Sequence, residues 1–122
     1  MQILRAVLFA LMTCFLSFAL KAQTNLTFGQ AIALTYSTTS YYSPVYTVPS
    51  GKVWKIESAG ASAGYIVIGN INGETLSMSI QNDPNYPATL PVWLPAGTTV
   101  IFSNNNTNSY KGFVSILEFN AP

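Results

Sequence analysis

The chain contains no histidine, a single cysteine (Cys14), and charged side chains at only 7% of its positions. Without histidine there is no Ser-His-Asp arrangement, no Cys-His pair and no imidazole-based zinc site. The phosphate loop pattern Gly-x-x-x-x-Gly-Lys does not occur either, since Gly51-Lys52 lacks the earlier glycine. No basic cluster is present to attract nucleic acid or an anionic membrane. The one long apolar run, Ala6 to Leu20, follows a short basic start, Met1 to Arg5, and precedes Lys21-Ala22-Gln23. That is the pattern of a secretory leader cut near Ala22, and the run is too short to span a bilayer comfortably. The expected organisation is a signal peptide over residues 1–22 and one domain over residues 23–122, secreted to the periplasm or the extracellular space, with no membrane span in the mature chain.

Cleavage removes Cys14, so the mature domain has neither thiol nor disulfide and rests on packing alone. Lys52, Lys55 and Lys111 then stand against Glu57, Glu74, Asp83 and Glu118, a net charge of −1. So little charge offers little repulsion to protein–protein contact.

What is present is a repeated turn-and-strand signal. Val48-Pro49-Ser50-Gly51 precedes Lys52-Val53-Trp54-Lys55-Ile56, and Leu94-Pro95-Ala96-Gly97 precedes Thr98-Thr99-Val100-Ile101-Phe102. Each places proline at the second position of a tight turn, with a glycine two residues later that accepts positive φ. Between them, Asn72-Gly73 separates two strand-like runs, the dipeptide of a type I′ hairpin. With those residues at the turn centre Ile71 faces Glu74, Val67 faces Met78 and Tyr65 faces Ile80. Ile66 and Ile68 are then expected to face solvent from an edge strand, or to be covered by another element or a partner subunit. Trp54 and Ile56 share one strand face and Lys55 and Glu57 the other. Ala59 to Gly64 and Ser37 to Ser43 read as loops. Pro91 within Thr89 to Leu94 argues for an edge strand or a bulge. Phe113, Leu117 and Phe119 are expected inward, with Glu118 outward. Seven to eight short strands without an amphipathic helix predict an all-β fold, an antiparallel β-sandwich of jelly-roll type.

These segments, closing with Gly112-Phe113-Val114-Ser115-Ile116-Leu117-Glu118-Phe119, resemble small secreted bacterial jelly-roll proteins over most of residues 44 to 119. Pro95-x-Gly97-x-x-Val100-x-x-x-Asn104 also resembles the second cupin motif, with valine where cupins place a metal-binding histidine. The resemblance implies the shape and not the metal site.

Candidate site residues are therefore aromatic. Trp54 reads as core. Trp93 points away from Val92 and Leu94, and with Tyr86, Asp83 and Asn85 close by in the chain it could stack on a sugar ring while polar groups hold hydroxyls. Packing under the proline-rich loop is the plainer account of the same residue. Tyr41 and Tyr42, with Tyr46, form a second cluster. The four carboxylates read as solvated surface acids, not as a glycosidase pair. Gln81 to Asn85 has oxygen ligands without the spacing of a calcium loop, so neither metal nor cofactor is expected. Asn25-Leu26-Thr27 and Asn105-Asn106-Thr107 fit the glycosylation pattern, which means little if the producer is bacterial, as the resemblance implies. The functional expectation is a non-enzymatic structural or interaction module, partnered by its own copies or another extracellular protein. A carbohydrate-binding module is the alternative, and an acid-based hydrolase comes third.

Overall fold

The computed structural model describes residues 25–81, 85 and 87–122, together with 2, 3, 5 and 7. Residues 8–24, which hold most of the apolar run, Cys14 and the expected cleavage boundary, lie outside the described residues. Eight strands follow in order: β1 (Thr27–Thr38), β2 (Tyr46–Thr47), β3 (Lys52–Ala61), β4 (Ile66–Ile71), β5 (Glu74–Ser79), β6 (Val92–Leu94), β7 (Thr99–Asn104) and β8 (Tyr110–Asn120). They form two four-stranded sheets, ordered β1-β8-β3-β6 and β2-β7-β4-β5, and every pairing is antiparallel. Strand one pairs with eight, two with seven, three with six and four with five. The chain is thus one long nested hairpin rolled on itself, the strand order of a jelly roll. No helix among the described residues is long and apolar enough to cross a membrane.

The two proline–glycine turns do the rolling. Pro49 O accepts from Lys52 N at 3.1 Å with Gly51 at φ 70°, and Pro95 O accepts from Thr98 N at 3.1 Å with Gly97 at φ 81°. Proline therefore holds the first position of each turn and not the second, and the positive φ falls on the third. The first turn carries the chain from β2 in one sheet to β3 in the other, and the second returns it from β6 to β7. The turns abut: Gly97 N donates to Val48 O at 3.0 Å, and Val48 N donates to Thr98 O at 2.9 Å. Each corner satisfies backbone groups of the other, which is why the same signal occurs twice.

The Asn-Gly hairpin forms as expected, with Asn72 and Gly73 at φ 52° and 85° and Ile71 opposite Glu74. Its register then shifts. Gly69 faces both Leu76 and Ser77, so Ile68 opposes Met78 and Val67 opposes Ser79. A Cβ at Gly69 would lie 2.5 Å from Ser103 Oγ on β7, so close passage of the neighbouring strand requires the glycine. β4 is also not an edge, because β7 flanks its other side. Ile66 and Ile68 are consequently core residues, fully buried, and the expectation that they face solvent is corrected.

Two loop assignments change as well. β3 continues through Ala59 to Ala61, because β8 supplies partners as far as Gly112, leaving only Ser62 to Gly64 as a bend. β1 carries a bulge near Gly29 and runs to Thr38, into the stretch expected to be a loop. Pro91 precedes the short edge strand β6, as its missing N–H demands.

The core lies between the sheets. Trp54, Ile56, Val114 and Ile116 come from one sheet, and Ile66, Ile68, Val100 and Phe102 from the other. Each such side chain contributes about 1.5–3 kcal/mol on burial. Tyr36, Tyr46 and Phe102 stack near one end with ring centroids 6.0–6.5 Å apart, and Tyr36 Oη lies 3.4 Å from Tyr110 Oη. Burial, followed by the contact with Tyr110, pushes the Tyr36 hydroxyl far above the usual phenol range.

The faces of β8 are reversed from expectation. Trp54 stands opposite Glu118 and Ile56 opposite Ile116, so Val114, Ile116 and Glu118 point inward. Phe113 is exposed, and Leu117 and Phe119 are only partly covered. Glu118 is 5% exposed. Its Oε2 accepts from Trp54 Nε1 at 2.8 Å, and its Oε1 accepts from Gln30 Nε2 at 2.9 Å. These donors stand in for water, as an ionised buried carboxylate requires. The Trp54 hydrogen bond above all, then Gln30 and the Lys52 charge, hold its pKa below the ordinary value against the opposing effect of burial.

A lowered folded-state pKa contributes stability above the unfolded value of about 4.3 and loses it as pH falls through the folded value. Denaturant titrations should therefore show stability falling below about pH 4 in the wild type and a flatter acid limb in Glu118→Gln. At neutral pH Glu118→Ala should lose about 2–3 kcal/mol, because two donors lose a charged acceptor.

Candidate functional site

The outward face of the β1-β8-β3-β6 sheet is built from the positions that alternate with the core. β8 contributes Phe119, Leu117, Ser115, Phe113 and Lys111, one every second residue and so about 7 Å apart. β1 sets Phe28 opposite Phe119, and β3 sets Val53 opposite Phe119 and Lys55 opposite Leu117. β6 adds Trp93 opposite Lys55.

At the end formed by Phe119 the result is an aromatic platform. Trp93 is 48% exposed, with its ring centroid 5.5 Å from that of Phe119. Phe28 is 60% exposed and meets Phe119 edge-on at 6.1 Å. Lys55 Nζ lies 5.4 Å from the Trp93 centroid and 2.7 Å from Glu57 Oε1. The lysine therefore caps part of the indole with a cation–π contact while Glu57 takes its charge.

Toward Lys111 the same face becomes polar. A shallow groove is lined by Phe113, Gly60, Thr35, Ser37, Ser62 and Lys111. Gly60 sits directly opposite Phe113 and leaves open space above the sheet, so one side of the phenyl ring stands free. Ser62 Oγ accepts from Lys111 N at 2.9 Å, tying the rim to β8.

The sequence-derived candidates are dispersed. Trp93 occupies the outward position expected of it. Asp83 and Tyr86 lie outside the described residues, and Asn85 is exposed. Tyr41 and Tyr42 belong to the connection from β1 to β2, with side chains 49% and 59% exposed. Their backbone is anchored to the second sheet's β7 by the Tyr42–Ser103 bridge and by Asn104 N donating to Tyr41 O at 2.9 Å. Tyr46 separates from them, turning inward against Tyr36 and Phe102. Phe28, Phe113 and Phe119 join the outward face unanticipated. The pairing of β8 with Trp54 and Ile56 would have revealed the last two.

Of the acids, Glu118 has both oxygens engaged by buried donors, Glu57 pairs with Lys55, and Glu74 flanks the hairpin turn. No group of three His, Cys, Asp or Glu residues placed to hold a metal occurs among the described residues. No protein family, curated protein or solved structure matches the chain.

The two tryptophans should report this asymmetry in fluorescence. Trp93→Phe leaves only Trp54, whose emission should be blue-shifted and resistant to iodide. Trp54→Phe leaves Trp93, whose emission should be red-shifted and readily quenched. Trp93→Ala should cost less than about 1 kcal/mol of stability, as expected for a half-exposed side chain.

Proposed function

We propose that this protein is a secreted, non-enzymatic interaction module that binds other protein surfaces, its own copies among them, through the outward face of the β1-β8-β3-β6 sheet. The observation that carries this reading is the contiguous exposed platform of Phe28, Phe119 and Trp93 on a rigid sheet. A four-stranded sheet holds such side chains at fixed spacing, so little entropy is lost when a partner covers them. The scarcity of charge supports the same reading, since few ions must be desolvated on contact.

Sedimentation velocity over a wide concentration range tests it. The weight-average mass should rise with concentration. The double variant Phe28→Ser/Trp93→Ser, altered only on the outward face, should need at least tenfold more protein to reach the same mass. A strict monomer at high concentration would remove self-association.

A second reading, carbohydrate binding, is favoured by the groove beside Phe113. An exposed ring next to a glycine, flanked by the Thr35, Ser37 and Ser62 hydroxyls, suits the C–H face and hydroxyls of a pyranose. A glycan array should then show hits that Phe113→Ala or Trp93→Ala abolishes. An array without hits rejects this reading.

A further inference from the structure

Two open sheets have four edges, and three of them are blunted. β6 is three residues long between Pro91 and Pro95. β2 is two residues long and lies between Pro44 and Pro49. β5 begins with the charged Glu74, and the returning chain bonds to its far end, Thr89 N donating to Ser79 O at 2.7 Å. Short length, proline, charge and covering segments are the ordinary means of preventing one sheet from adding to another.

Among the described residues β1 has none of these, and its one irregularity is the bulge near Gly29. It runs for 12 residues, Thr-Phe-Gly-Gln-Ala-Ile-Ala-Leu-Thr-Tyr-Ser-Thr, with no proline and no charged side chain. β8 pairs with one side of it, and no described strand pairs with the other. Past the bulge near Gly29, the stretch from Gln30 to Thr38 is regular. Its inward residues Ile32 and Leu34 are packed on the core but only partly buried, so apolar surface remains at the rim.

We infer that β1 is a pairing edge whose partner is β1 of a second copy of this chain, aligned antiparallel about Ala33. Self-complementarity selects that occupant. In this register Ile32 faces Leu34, Ala31 faces Thr35 and Gln30 faces Tyr36, each pair on one face of the sheet. The Ile32–Leu34 pairs cover the rim of both cores. On the outward side the axis is occupied by small side chains, Ala31, Ala33 and Thr35, all exposed in the single chain. A symmetric pairing brings each residue near the axis close to its own copy, so a charge there would meet like charge, and β1 carries none. The product is a continuous eight-stranded sheet in which both aromatic platforms face the same way.

This inference rests on the self-association proposed above and adds to the outward face a second contact, at the sheet edge. Two variants test it in the full chain with Cys14→Ser. Ala33→Cys sets two thiols across the axis, where antiparallel neighbours lie about 4.5–5.5 Å apart, within disulfide reach. It should form a covalent dimer under mild oxidation, whereas Ser58→Cys, on the outward face of β3, should not. Ala33→Lys should weaken dimerisation at least tenfold in sedimentation velocity, with the circular dichroism spectrum unchanged. Association that survives Ala33→Lys, together with no cross-link at Ala33→Cys, overturns the edge contact and leaves the outward face as the means of association. A protein monomeric at every concentration overturns both.

Discussion

The position of β8 between β1 and β3 is the constraint on which the rest of the structure depends. Its pairing with β3 places Glu118 against Trp54 and Ile116 against Ile56, which decides the side every β8 residue takes. One parity closes the core, and the other becomes the outward face with Phe113, Leu117 and Phe119. The buried end of that arrangement is polar, and it is tolerated because the indole of Trp54 and the amide of Gln30 both donate to the carboxylate. An unpaired carboxylate at this depth would oppose closure, while this one links three strands of one sheet. The same register that positions the core therefore assembles the platform on which the functional reading rests.

Much of the architecture was legible in local chemistry. The paired proline–glycine turns marked both corners of the roll, and Asn72-Gly73 marked the central hairpin, because positive φ is a requirement that few residues meet. Alternation identified Trp54 and Ile56 as core and Trp93 as outward. Legibility failed where both faces of a strand are apolar. In β8 either parity offers a hydrophobic set, Phe113-Leu117-Phe119 or Val114-Ile116, and only the neighbouring strand chooses between them. Aromatic bulk pointed to the wrong set, since a buried glutamate argues against the right one until its donors are known. In β4 the bulge opposite Gly69 altered the register at a position where one residue's shift moves a whole strand face. Ser103 of β7 passes close to Gly69 at the same place, a neighbour far away in the chain.

The candidate site was legible in part for the same reason. Trp93 was found because its neighbours Val92 and Leu94 are clearly inward. The phenylalanines that complete the platform lie on β1 and β8, far away in the chain, and meet it only through strand order. Tyr41 and Tyr42 were grouped with Tyr46 by proximity in sequence, yet the chain enters β2 between them and the core claims Tyr46. The hydroxyl-bearing residues of the Lys111 groove come from β1 and from the bend after β3, and no short motif unites them.

The placement of the last strand at the centre of its sheet has a temporal consequence. Residues 110 to 120 come last of the eight strands in chain order, yet β1 and β3 are joined in their sheet only through them. A nascent chain can form the Asn-Gly hairpin early, but β1 must wait for β8, the strand it pairs with. Closure of this sheet therefore follows the synthesis of β8, with high contact order and correspondingly slow folding.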